Sequence, residues 1–152
     1  MSITGILVSL VAGFPVIQAA IPIIPGYTLT WGDDFNGPAN TLPSSANWII
    51  DTGTSYPGGA PNWGTGEVET YTRSTKNIAL DGNGHLVITA LRSPSGAWTS
   101  GKIETVRQDF VAKAGGKMII QATLNLPNVG PNSLGYWPAF WTLGASFRGN
   151  YV

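Results

Sequence analysis

Two stretches of this 152-residue chain carry side chains whose types and spacing could do chemistry. The first is Asn62-Trp63-Gly64-Thr65-Gly66-Glu67-Val68-Glu69-Thr70-Tyr71-Thr72. In extended backbone Glu67 and Glu69 project to one side, about 7 Å apart. Paired carboxylates are the groups that cleave glycosidic bonds, but a retaining pair stands ~5–5.5 Å apart on either side of the scissile bond. Glutamates that share one side of a strand suit a solvated edge or the orienting of a polar ligand. Gly64-Thr65-Gly66 leads into β-favouring residues rather than a helix, so it does not read as a nucleotide loop.

The second stretch is Gly135-Tyr136-Trp137-Pro138-Ala139-Phe140-Trp141-Thr142-Leu143. Alternation in an extended strand puts Trp137, Ala139 and Trp141 on one face and Pro138 and Phe140 on the other. The two indoles then lie about 13 Å apart with a small residue between them. Such a surface can meet the apolar C–H faces of consecutive sugar rings while the indole N–H groups donate hydrogen bonds. The same pattern equally suits two tryptophans filling the core of a sandwich.

Other chemistries lack their groups. Cysteine is absent, so the chain can build neither a disulfide, a thiolate nucleophile nor a Cys-ligated zinc site, and the single His85 cannot supply a multi-histidine metal site. His85 opens a strand opposite its apolar face, a position for an exposed or partly packed structural side chain rather than a positioned base. Eight acidic and eight basic residues leave no net charge, against the basic stripe that nucleic acid demands. No acidic cluster suggests a hard-cation site of 6–8 oxygens, so no metal ligand and no cofactor is assigned. The sequence carries no cue to oligomeric state.

The elements that position these stretches are strands and turns, because 20 Gly and 11 Pro in one chain leave little room for helices. Tyr27-Thr28-Leu29-Thr30-Trp31 reads as a first strand and Trp48-Ile49-Ile50 as a second; the Gly/Pro-rich run 53–66 reads as a long functional or disordered loop. Asp81-Gly82-Asn83-Gly84 supplies the positive-φ turn of a hairpin over Asn77 to Ala90, with Leu86, Ile88 and Ala90 on one face. Lys117 to Leu124, after Gly115-Gly116, reads as a buried or half-buried strand closed by Asn125-Leu126-Pro127. Glu104 and Asp109 read as structural charges.

Ahead of all this, Ile3 to Val16 is mostly apolar, followed by the small residues Ala19 and Ala20, and the first charge is Asp33. That pattern predicts a secretory leader over 1–20 and an extracellular product. A buried first strand is the alternative. A membrane anchor is disfavoured, because Gly13, Pro15, Pro22 and Pro25 interrupt the run before the ~20 apolar residues of a stable span.

Taken together, Trp137-Pro138-Ala139-Phe140-Trp141, the Gly64 to Tyr71 stretch and Trp98-Thr99-Ser100-Gly101-Lys102-Ile103 resemble glycoside hydrolase family 16, on its laminarinase-like, endo-β-1,3(4)-glucanase side. The resemblance covers 27–152. It implies an all-β, concanavalin A-like β-sandwich (jelly roll), incomplete over this length, with β-glucan as partner. It implies that Trp137 and Trp141 line the cleft, that Phe140 faces the core, and that Glu67, Tyr71 and Asn62 are substrate-binding. Complete relatives work by retention, one glutamate attacking the anomeric carbon while a second protonates the leaving oxygen. The family's Glu-x-Asp-x-x-Glu strand does not occur in this sequence, so no catalytic residue is assigned and hydrolysis by these residues alone is not expected. Lys102 stands where relatives often carry Arg, and Gln121 where they carry Glu; lysine cannot make arginine's planar bidentate contact. A non-catalytic β-glucan-binding module and a non-functional fragment are the alternatives.

Overall fold

The computed structural model describes residues 21–127 and 130–148, so the predicted leader over 1–20 lies outside the described residues. Seven short strands form, with no α-helix among the described residues: β1 Trp48–Asp51, β2 Thr70–Tyr71, β3 Ile78–Leu80, β4 Leu86–Ile88, β5 Leu91–Arg92, β6 Trp98–Ser100 and β7 Lys102–Thr105. They pair as β1 with β7, as β2-β6-β5, and as the hairpin β3-β4. β2 runs parallel to β6 and the other pairs are antiparallel.

The hairpin forms where the sequence places it, with Gly82 and Gly84 at φ of 82° and 84° in the turn. The Asp81 carboxylate fastens that turn, accepting from the Asn83 and His85 backbone N–H groups at 2.7 and 3.1 Å and meeting His85 Nδ1 at 2.7 Å. His85 is exposed, as expected. The apolar set on β4 is largely uncovered, with Leu86 half-buried and Ile88 and Ala90 exposed.

Three pieces tie the sheets together. Gly53 and Tyr71 exchange backbone hydrogen bonds at 2.9 and 3.0 Å, which joins the end of β1 to β2. Gly101, between β6 and β7, has no room for a side chain: a Cβ would stand 3.0 Å from Ile78 Cβ and 3.1 Å from the Asn77 carbonyl oxygen. The buried Asn77 amide donates to the Thr89 carbonyl at 2.9 Å and to Thr99 Oγ1 at 3.1 Å, and accepts from Thr72 Oγ1 at 2.7 Å. The small core around these joints holds Ile50, Trp63, Tyr71, Ile78 and Leu80.

The structure corrects the sequence reading at three places. Tyr27 to Trp31 is not a strand: the Thr30 carbonyl accepts from Arg107 Nη1 at 2.7 Å, and the Trp31 ring packs edge-on against Trp48 and Phe110 at 5.3 and 5.6 Å. The guanidinium thus engages one backbone carbonyl that a ladder would use, and the ring contacts hold the segment through its side chain. The run 53–66 is a loop, as read, and within it a tight turn over Pro61–Gly64 leaves Trp63 only 5% exposed. Lys117 to Leu124 forms no ladder, and Met118, Ile119 and Ile120 are exposed. The stretch 136–144 likewise forms no strand, and Phe140 is 50% exposed rather than on a core side. Alternation selects faces, but a strand also needs a neighbour in register, and no described residue supplies one to either stretch.

Candidate functional site

The site is assembled from the 62–71 loop, β2, β7 and the segment that follows Trp141. Asn62 and Trp63 both adopt left-handed backbone, φ 51° and 55°, a strained state for a bulky side chain and one that gathers at ligand sites. This turn aims the Asn62 carbonyl at the N–H groups of Thr65, Gly66 and Glu67, from which it accepts at 3.2, 3.1 and 3.3 Å. The Asn62 carbonyl thus curls the loop, while its exposed side chain lies outside the pocket lining.

Glu67 accepts from the Tyr71 hydroxyl at 2.6 Å and from Thr65 Oγ1 at 2.9 Å; Glu69 stands 3.0 Å from the same Tyr71 oxygen. Burial, then the bond to Glu67, pushes the Tyr71 phenol far above the ordinary tyrosine range. Both glutamates address one hydroxyl, so they share one side of the site instead of flanking a bond.

The Lys102 ammonium lies over the Trp63 ring, 4.0 Å from its centroid, and is 5.4 Å from Tyr71 and 5.9 Å from Trp141. Trp63, Thr65, Glu67, Lys102, Trp141 and Leu143 enclose a shallow pocket of about 220 Å³. Trp137 and Trp141 both border a wide open hollow across the molecule, but only Trp141 also lines the compact pocket, and Trp137 is 89% exposed.

Across the ladder from the pocket's lysine, strand register sets Asp51 of β1 opposite Lys102 and Ile49 opposite Glu104 of β7. Asp51 is buried, and desolvation, reinforced by Glu104, raises its carboxyl to about 6 against the opposing pull of Lys102, the Tyr56 hydroxyl and Arg148. Glu104 pairs with Arg148 at 3.2 Å, and Asp109 forms a two-point pair with Arg107 at 2.6 and 3.1 Å, structural roles in both cases. Among the described residues no group of three or more His, Asp or Glu side chains could hold a metal ion, and no helix is long and apolar enough to cross a membrane.

Comparison with known proteins gives this geometry its context. The chain is 32% identical over 133 residues to the glucan endo-1,3-beta-glucosidase A1 of Niallia circulans, covering 80% of this chain and 18% of that protein. It is 31% identical over 121 residues to a beta-glucanase of Rhodothermus marinus, with 78% and 37% covered. The crystal structure of the endo-1,3-beta-glucanase from Streptomyces sioyaensis matches with a TM-score of 0.77 at 54% identity, over 88% of this chain and 48% of that one. The chain belongs to glycoside hydrolase family 16, on its laminarinase-like side.

Its all-β architecture is accordingly that of the family's jelly roll. No protein-family model matches the chain. This family 16 chain spans less than half the length of each of these three relatives. Sequence reasoning singled out Glu67, Tyr71 and Trp141, which the fold brings to one place. It passed over Trp63 and Asp51 and read Lys102 only as a weakened arginine. The one sequence signal for Trp63 was its place in the glycine-flanked turn; Asp51 and Lys102 meet through register alone.

Proposed function

We propose that the Trp63–Trp141 pocket holds a sugar unit of a β-glucan, and that this chain forms the glycan-holding side of a hydrolase of β-1,3- or mixed β-1,3/1,4-glucans. What carries the reading is one juxtaposition. The half-exposed Trp141 indole offers a face for the C–H side of a sugar ring, while the Glu67 carboxylate lines the same small pocket and accepts from hydroxyls. Glycosidic bonds are broken with retention by two carboxylates flanking the bond, an arrangement that Glu67 and Glu69 do not offer. Binding without hydrolysis is the second reading for these 152 residues, favoured by that one-sided placement.

Titration with laminarihexaose, a β-1,3-linked glucose hexamer, tests the site. Saturable quenching of tryptophan fluorescence that is lost in Trp141→Ala is expected; an unchanged spectrum throughout would remove β-glucan from consideration. Release of reducing sugar from laminarin by the same chain would contradict the binding-only reading. We also propose that residues 1–20 direct export, on the strength of the apolar run ahead of Ala19 and Ala20. Sequencing the N-terminus of protein recovered from medium should find it cut after Ala20, and intact Met1 would refute this.

A further inference from the structure

Trp141 lies in a segment with no strand ladder, and the residue is 53% exposed. Trp63, by contrast, is fixed without help from its own N–H: the buried Nε1 has no hydrogen-bond partner among the described residues. The Trp63 ring instead meets Tyr56 edge-on at 4.7 Å and Tyr71 at 5.6 Å, and carries the Lys102 ammonium 4.0 Å over its face. A cation within about 6 Å of a ring centroid is attracted by the ring's negative face. The ammonium meets that condition for Trp63, Tyr71 and Trp141 at once. Its own stem is anchored in β7 opposite the buried Asp51.

We propose that Lys102 is a positioning residue of the glycan pocket: caged over Trp63 and Tyr71, its ammonium sets the orientation of the Trp141 ring on which the sugar stacks. This rests on the β-glucan reading of the pocket. Two consequences follow from the geometry. The Trp63 face is covered by the ammonium, so Trp63 is a wall and Trp141 the single stacking platform of this pocket. Charge at position 102 matters more than lysine itself, because a guanidinium binds ring faces as well.

The test uses the full chain and laminarihexaose, followed by tryptophan fluorescence, for Lys102→Met, Lys102→Arg, Trp141→Leu and the double variant. Lys102→Met should weaken binding roughly five- to tenfold. Lys102→Arg should stay within about twofold of the native chain. In the Trp141→Leu background, Lys102→Met should add almost nothing, since the ring it acts through is gone. Equal losses in both backgrounds, or native affinity in Lys102→Met, overturn the proposal. Near-UV circular dichroism without ligand gives a second readout. The tryptophan bands should change in Lys102→Met and be restored in Lys102→Arg, and unchanged bands overturn the cage whatever the binding result. Should Lys102→Met not fold, Lys102→Gln replaces it. If the native chain shows no saturable change with the hexamer, the β-glucan reading fails and the near-UV signal alone decides on Lys102.

Discussion

At Asp51 the cost of burying a charge has a direction that can be worked out. Its folded value of about 6 lies above the ordinary 3.8, so between those values the folded chain holds more protons than the unfolded one. Stability from this group is therefore full below pH 4 and lost as pH rises through 6. We expect the stability of Asp51→Asn relative to the native chain to rise by about 2–3 kcal/mol between pH 4 and 7. Urea unfolding at a series of pH values measures it, and a pH-independent difference would contradict the assignment. Tyr71 gives a complementary expectation. Because burial and Glu67 hold its phenol far above the usual range, Tyr71→Phe should leave the tyrosinate absorbance below about pH 12 unchanged. A lost titrating group in that range would show the hydroxyl open to water.

Among the elements, the joints matter more than the strands, which are four residues long at most. Asn77 spends its whole amide on three partners from three parts of the chain. Asn77→Ala leaves these half-buried partners unsatisfied and should cost about 1–3 kcal/mol in chemical unfolding. Gly101→Ala should cost about 1–3 kcal/mol by pressing a methyl on Ile78 and the Asn77 carbonyl. It should also displace Lys102, its neighbour, so weaker laminarihexaose binding is expected alongside the lower stability. The hairpin was legible in advance because Asp81 to Gly84 encode a turn locally. Lys117 to Leu124 was not correctly legible, because its alternation is real but its ladder depends on a partner that the pattern itself cannot name.

Across the whole molecule, apolar surface lies open where a sandwich ordinarily closes. Met118, Ile119, Ile120, Leu124 and Leu126 are 41–56% exposed, and Val87 and Ile88 on the hairpin are 44% and 48% exposed. Large open apolar patches favour association. Preparations of these 152 residues should bind the dye anilinonaphthalene sulfonate and show concentration-dependent association in sedimentation. A dye-silent monomer with a sharp cooperative melt would count against that expectation.

By itself the sequence determined what is encoded over a few neighbouring residues: an all-β chain rich in turns, the Asp81–Gly84 hairpin, the Glu67–Tyr71 stretch and an aromatic segment at Trp137–Trp141 of the family 16 kind. The tertiary structure decided what depends on distant partners. It seated Trp63 under the Lys102 ammonium, set Asp51 against Lys102 by strand register, gave Tyr71 two carboxylates, and separated Trp141 in the pocket from Trp137 in the open. The reason is physical: turn conformation and side-chain alternation are properties of adjacent peptide units, whereas burial, charge pairing and ring contacts belong to whichever segments the register brings together.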